Sequence, residues 1–290
     1  MSIEVLDLEF QGRPQCVASF LVTTDQRPLL VECGPATCRP QLLAALQRHG
    51  LKPQDLQALL VTHIHLDHAG DAGWWAQQGV PVVVHPLGAP HLIDPSKLIA
   101  SAGRIYGEAM ERLWGEILPC PSDRVIIAKL DQPLPLEGVE ITAWDSPGHA
   151  RHHLAYQVGR DLLTGDVAGV KLPAADFLSV PAPPPEFERE VWLTTIDKLA
   201  ELPVDRLFLT HFGAHGNVQQ HWQELRRRVD EVAEFVHQRQ DWDRQKLIEA
   251  YAAWQRPEFP DQDSYDRYEQ ANPLFMSIDG LLRYWKKRPA

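Results

Sequence analysis

Three histidines and an aspartate, His63, His65, Asp67 and His68, fall within six positions of the stretch VTHIHLDHAG. Imidazole and carboxylate groups are the ligands that suit zinc, iron, manganese or nickel. His63 and His65 are two apart at what reads as the end of an extended run, so both side chains can face one side. Asp67 and His68 follow where the chain must curl and can be turned toward the same pocket. A lone histidine is usually structural or exposed. Four such residues directly after an apolar strand make a metal site the stronger reading.

Three later residues have the same character. His149 lies in DSPGHA after a strand and a Pro-Gly turn, Asp166 ends DLLTGD, and His211 ends RLFLTH. Each is a ligand-type residue at a strand end before a loop, where functional side chains are displayed by a rigid scaffold.

These residues need strands and helices to hold them. IEVLDLEF (3–10), CVASFLVTT (16–24) and PLLVECG (28–34) read as short strands broken by Gly, Pro and Asp, and RPQLLAALQRHG as a helix stopped at Gly50. LQALLVTH and VPVVVHP are apolar runs fit for buried strands, with a helix between them through DAGWWAQQG. Residues 94–118 form a long amphipathic segment with Leu98, Ile105, Ala109, Leu113 and Ile117 near one face. VEITAWD (139–145), HLAYQVG (153–159), DLLTGD and RLFLTH (206–211) are further strands, and a helix runs from about Val191 to Leu202. In VQQHWQELRRRVDEVAEFVHQ a stripe of Trp222, Leu225, Val229, Val232 and Val236 opposes charged residues.

The bulk numbers set the class. The 290 residues, 44% of them apolar, are enough for one large domain with a real core. A formal charge of −11 disfavours nucleic acid as a partner. The basic cluster Arg283, Lys286, Lys287 and Arg288 reads as a solvated helix end. The opening residues lack the basic and apolar regions of a signal peptide, and no run is long enough to span a membrane. The four cysteines (Cys16, Cys33, Cys38, Cys120) have no paired spacing and read as free thiols, so a cytoplasmic location is expected.

Taken in order, THIHLDHAG, SPGHARHH, LLTGD and LTHFG resemble the metallo-β-lactamase fold superfamily over roughly residues 3 to 215. The resemblance implies an α/β fold, a four-layer αβ/βα sandwich with a dinuclear site at one edge of its two sheets. Residues 1–215 would be the catalytic domain and 216–290 a helical C-terminal extension packed on it. Carried over, His63, His65 and His149 would bind one divalent ion, Asp67, His68 and His211 the second, and Asp166 would bridge them. Zinc is the first choice of metal, with iron, manganese or nickel as alternatives. Two chemical departures stand out: Glu32 in LLVECG where the family usually has Asp, and Asp71 where it often has Gly. His85, His152, His153 and His215 lie near these motifs and read as supporting side chains.

The implied chemistry is hydrolysis of an ester, lactone, thioester or phosphoester. Water held between two divalent ions ionises near pH ~7, and Asp67 would orient the hydroxide and carry its proton to the leaving group. The candidate walls of a small-molecule site are Arg104, Tyr106 and Trp114 in the 94–118 segment, Trp74, Trp75, and the loop from Gly169 to Phe187. Lactonases of the superfamily tend to carry a Tyr shortly after the bridging Asp, where this chain has VAGVKL. Glyoxalase II enzymes resemble it in having a helical C-terminal region. The rival reading is an iron-dependent, sulfur dioxygenase-like oxidoreductase, and a third is a non-catalytic binding module that keeps the fold, whose mark would be lost ligands; none is lost here. The C-terminal helices could pair two copies into a homodimer.

Overall fold

Two six-stranded sheets face each other across an apolar interior, in a computed structural model that describes residues 1–288. The first sheet holds β1 (Ser2–Asp7), β2 (Ala18–Thr23), β3 (Leu29–Val31), β4 (Ala58–Leu60), β5 (Val82–Val84) and β6 (Val125–Ile127) in chain order. Its first three strands are antiparallel and its last four parallel. The second holds β7 (Gln132–Pro133), β8 (Ile141–Asp145), β9 (Leu154–Val158), β10 (Asp161–Gly165), β11 (Arg206–Leu209) and β12 (Gly213–His215), again neighbours in sequence order. Only β10 and β11 pair in parallel there, and a parallel pair needs a long crossover.

Alternation along the strands explains the layers. Phe20, Val22, Val31 and Leu60 point inward to meet Ile141, Tyr156, Leu163 and Phe208 of the facing sheet. Leu21, Leu30 and Leu59 point the other way, into a second core built with helices. Strands covered on both faces are apolar throughout, which is why LLV and ALL read as continuous runs. The outer layer on the first sheet comprises α1 (Arg39–Arg48), α2 (Leu66–Ala69), α3 (Ala72–Gln77), α4 (Ala89–Ile93), α5 (Ser96–Tyr106) and α6 (Met110–Trp114). On the far side lie α7 (Arg189–Ala200), α8 (Val218–His237), α9 (Arg244–Gln255), α10 (Gln262–Ala271) and α11 (Leu274–Lys286). Trp192 of α7, Trp222 and Val229 of α8, Tyr251 of α9 and Ile278 of α11 share one core with Leu162 and Leu207 of the second sheet.

The four layers match the expected α/β sandwich, with differences in detail. The 94–118 segment is not one helix: α5 stops at Gly107, whose φ of 52° is left-handed, and a 3-10 turn leads into α6. Ile105 is left 37% exposed instead of sealing one face. β6, β7 and β12 have no counterpart among the expected strands; two or three residues are too few for a periodicity to register. The helix expected from Val191 starts at Arg189 and ends at Ala200. Pro289 and Ala290, the end of the expected extension, lie outside the described residues. Of the basic cluster, Arg288 pairs with Glu188 and Glu190 instead of facing only water. Among the described residues no helix is long and apolar enough to cross a membrane.

α11 approaches the Pro-rich loop before α7 so closely that only glycine fits: a Cβ at Gly280 would lie 1.8 Å from the Ala182 carbonyl oxygen. Gly280→Ala is therefore expected to cost about 1–3 kcal/mol through forced separation of the two segments. Urea unfolding should show a lower midpoint with an unchanged slope, and a wild-type midpoint would contradict this packing.

Candidate metal centre

All seven residues singled out in the sequence converge at one edge of the sandwich. β4, β10 and β11 end there, and each feeds a loop or turn that carries donors, the usual place for a site in open α/β sheets. His63 and His65 lie in the loop after β4, which ends at Leu60, so they converge from a loop and not from the strand end expected. Asp67 and His68 sit in the single turn of α2. His149 is in the turn between β8 and β9, Asp166 directly follows β10, and His211 comes two residues after β11.

The donor atoms fall into two groups. His63 Nε2 is 2.9 Å from His65 Nδ1, which is 3.1 Å from His149 Nε2. Asp67, His68 and His211 form the second group, with His211 Nε2 3.4 Å and His68 Nε2 3.7 Å from Asp67 Oδ2. The Asp166 carboxylate spans the two. Its Oδ2 is 3.4 Å from His149 Nε2, and its Oδ1 is 3.2 Å from His68 Nε2 and 3.6 Å from His211 Nε2.

The outward-facing nitrogens fix the tautomers. Thr62 donates its hydroxyl to Glu32 Oε1 at 2.6 Å, leaving Thr62 Oγ1 to accept from His63 Nδ1 at 3.0 Å. His149 Nδ1 donates to the Pro181 carbonyl at 2.8 Å and His211 Nδ1 to the Cys16 carbonyl at 2.7 Å. His68 Nδ1 donates to Glu32 Oε1 at 2.9 Å. Each bond puts the proton on Nδ1 and leaves the Nε2 lone pair turned inward, the arrangement that orients a ligating imidazole.

Do these residues fit a divalent metal pair? A tetrahedral ion with bonds of ~2.0–2.1 Å needs donors about 3.3 Å apart, close to the separations in the three-histidine group. His68 Nε2 and Asp166 Oδ1 are both buried, and neither has a hydrogen-bond partner although they face each other. Most buried polar atoms in proteins are paired, and two unpartnered ligand-type atoms facing each other fit a cation held between them. Glu32, Asp67 and Asp166 bring three carboxylates, and among the described residues no lysine or arginine pairs with any of them. The donor set fits.

Without a cation, protons must take its part. Burial works against charge on His68, but Asp166, Asp67 and Glu32 outweigh it and raise its pKa well above the ordinary value. His211 moves up for a like reason, against burial and driven by Asp166 and Asp67. Burial opposes the Asp67 anion, yet His68 and His211 hold its pKa down at about 2. In the other group burial and then the neighbouring imidazoles push His65 down to about 3 and His63 well below its usual value.

Glu32 could pair with His63 and His68 as a third donor group. Its oxygens are engaged elsewhere, however, by the Thr62 backbone N–H at 3.1 Å, the Thr62 hydroxyl, the Thr210 hydroxyl at 3.3 Å and His68 Nδ1. It holds a ligand-type histidine and does not face the centre. Asp71 also lies apart: it is buried and takes three bonds from Arg39, at 3.1, 2.9 and 2.5 Å, tying α1 to the start of α3. His153 accepts from the Asp166 backbone N–H at 3.2 Å and contacts Ser146 Oγ at 2.8 Å. His152 is held by Glu186 at 3.1 Å. His85 contacts Asp145, and His215 the Phe212 carbonyl.

A cavity of about 630 Å³ opens onto the centre and is lined by His65, Asp67, His149 and Asp166. Tyr106 and Trp114 line it as expected, and so does the end of the 169–187 loop from Pro181 to Glu186. Trp74, Trp75 and Arg104 do not. Trp75 is fully buried in the helix-side core, Trp74 packs beneath Arg39, and Arg104 points to solvent. Sequence reasoning missed Phe10, Glu269 and Met276, which reach the cavity from distant parts of the chain with no local motif to mark them.

A model of the metallo-beta-lactamase superfamily matches residues 12–211. A metallo-beta-lactamase fold-containing protein, ST1585 of Sulfurisphaera tokodaii, is 26% identical over 162 residues, covering 54% of this chain and 61% of that protein. A hydroxyacylglutathione hydrolase of Nitrosomonas eutropha is 26% identical over 188 residues, 65% of this chain and 57% of that protein. The chain thus spans about three-fifths of the length of these curated relatives. In fold it is similar to the metallo-beta-lactamase family protein TTHA1429 from Thermus thermophilus, with a TM-score of 0.74 at 20% identity over 98% of this chain and 93% of that one.

Two outcomes test the geometry. Glu32→Ala removes the acceptor of His68 Nδ1 and should weaken uptake of divalent metal about 10- to 100-fold in a competition titration against a chromophoric chelator. Unchanged affinity would mean that Glu32 does not orient His68. Because the carboxylates favour protons on His68 and His211, metal uptake competes with those protons, and affinity should fall as pH drops from about 8 to about 6. Calorimetry in buffers of different ionisation enthalpy measures the protons released; none released would contradict the electrostatics described here.

Proposed function

This chain belongs to the metallo-β-lactamase superfamily, and on that premise we propose that it is a divalent-metal-dependent hydrolase of an ester, lactone, thioester or phosphoester. The observation that carries the reading is the pair of donor groups meeting at one carboxylate, Asp166, beside a cavity. Similarity to a hydroxyacylglutathione hydrolase supports the reaction class. His63, His65 and His149 would hold one ion, and Asp67, His68 and His211 the other, with Asp166 shared. Zinc is the proposed metal. When bound, such ions supply Lewis acidity and a water that ionises near pH ~7.

The chain's own residues supply the rest. Asp67 lines the cavity, and its side chain is 23% exposed while His68 and His211 are sealed, so it is the carboxylate that substrate and water can reach. Its low pKa keeps it an acceptor, fit to orient the attacking water and to move a proton toward the leaving group. His152, held by Glu186, lines the same cavity within reach of an incoming polar group.

Protein nucleophiles compete poorly. All four cysteines are buried, and burial pushes Cys16 to about 11 and Cys38 and Cys120 to about 12, so they stay thiols. The Ser146–His153 pair looks like a serine–base dyad but is fully buried. His153 Nε2 already accepts from the Asp166 backbone N–H, so its proton sits on Nδ1 and it cannot take one from Ser146.

The test is a zinc-reconstituted preparation assayed on esters, lactones, thioesters and phosphodiesters. Turnover of at least one class is expected, and Asp67→Ala should lower kcat by about 100-fold or more with the far-ultraviolet spectrum unchanged. No turnover on any class would overturn the hydrolase reading. Oxygen uptake on a persulfide by an iron-loaded preparation would move the chain to the oxidoreductase alternative.

A further inference from the structure

The cavity beside the metal centre is asymmetric in its chemistry. One wall is the donor cluster, through His65, Asp67, His149 and Asp166. The opposite wall, from α5 and α6, presents Leu98, Ala102, Ile105, Tyr106, Leu113 and Trp114. Prolines of the 181–185 loop and Met276 of α11 form the third side. Tyr106 donates its hydroxyl to Met276 Sδ at 3.1 Å, so the phenol is taken up in joining two walls and what it adds to the lining is mainly its ring. Trp114 packs against that ring at 5.0 Å and stacks on Phe10 at 5.6 Å, which stiffens this side.

Charge is distributed to match. Both basic side chains of the lining, Lys97 and Arg112, are exposed, and Arg112 already donates to Gln11 Oε1 at 2.8 Å. The Glu186 carboxylate is engaged by His152. Glu269 is different. Its Oε1 accepts from the Leu274 backbone N–H at 3.2 Å, and its Oε2 is buried with no partner. Burial raises its pKa to about 7, so above neutral pH an anionic tail reaching past the donor cluster would meet a carboxylate there and, among the described residues, no buried lysine or arginine.

We infer that the cavity receives an uncharged, apolar acyl group of the substrate, and that Glu269 selects against acyl chains ending in an anion. For the scissile bond this rests on the hydrolase reading, but the acyl site does not depend on turnover. The volume, about 630 Å³, lies within the range of small-molecule sites and leaves room for a chain of several carbons. Ile105 lines the cavity and is 37% exposed, so the apolar wall continues to the surface, where a long chain could enter.

Uncleavable N-methyl alkanamides of about four to ten carbons, titrated calorimetrically into the zinc-loaded protein, separate the two readings. Affinity is expected to rise about fourfold per methylene, the equivalent of ~0.8 kcal/mol per buried CH₂. At pH ~8.5, where Glu269 is ionised, an ω-carboxylate analogue of equal length should bind the chelator-treated protein, in which it cannot ligate zinc, at least about tenfold more weakly than the amide, and Glu269→Gln should close most of that gap. Ala102→Phe, which fills the cavity, should abolish the length dependence. Ile105→Trp, at a half-open position, serves if that variant does not fold. Affinity independent of length, or an ω-carboxylate bound by the chelator-treated protein as tightly as the neutral amide, overturns the inference even if esters are cleaved. The expected amide profile without any ester turnover supports the acyl site and sinks the hydrolase reading instead.

Discussion

One buried carboxylate, Asp166, organises the site. Its two oxygens face different histidines, His149 on one side and His68 with His211 on the other, at 3.2 to 3.6 Å. Such a group is costly to bury without cations, and among the described residues neither lysine nor arginine approaches it. The fold must therefore bring either protonated imidazoles or metal ions to this spot. Placing Asp166 at the end of β10, next to the end of β11 that leads to His211, lets two adjacent parallel strands deliver both partners. The same sheet adds His149 from the β8–β9 turn, and the facing sheet delivers His63, His65, Asp67 and His68 after β4, so the site exists only where both sheets end at one edge.

Behind the donors stands a ring of acceptors that is as specific as the donors themselves. Glu32 takes bonds from Thr62, Thr210 and His68, linking both sheets through one buried side chain. Its backbone φ of 64° is left-handed, a conformation a non-glycine residue keeps only where its surroundings over-determine it. Glutamate in place of the family's usual aspartate is thereby accommodated: the longer side chain still delivers Oε1 to His68 at 2.9 Å. Backbone carbonyls of Cys16 and Pro181 do the same for His211 and His149. The Pro181 loop is in turn clamped by α11 through Gly280, so the C-terminal helices reach the centre at second hand.

How much of this is legible in the sequence varies with range. The buried strands LLV and ALL, the stripe on α8 and the donor-rich turn at His63–His68 are local signals, and each falls where the sequence places it within a few residues. Short edge strands escape detection because two or three residues carry no period. The apolar face of 94–118 reads as a single packed face because periodicity records that a face is apolar and not what it faces. Here it lines a cavity, and Gly107 breaks it. Trp74 and Trp75 are misplaced for the same reason. Glu269 and Met276 are invisible, since only the folded chain carries α10 and α11 to the mouth of a site whose residues lie far away in sequence.

The central claim is that two divalent ions share the Asp166 carboxylate. Anomalous diffraction from zinc-reconstituted crystals, collected at the zinc edge, tests it most directly. Two peaks roughly 3.5–4 Å apart, one among His63, His65 and His149 and the other among Asp67, His68 and His211, are expected. A single peak, or peaks away from Asp166, would contradict it.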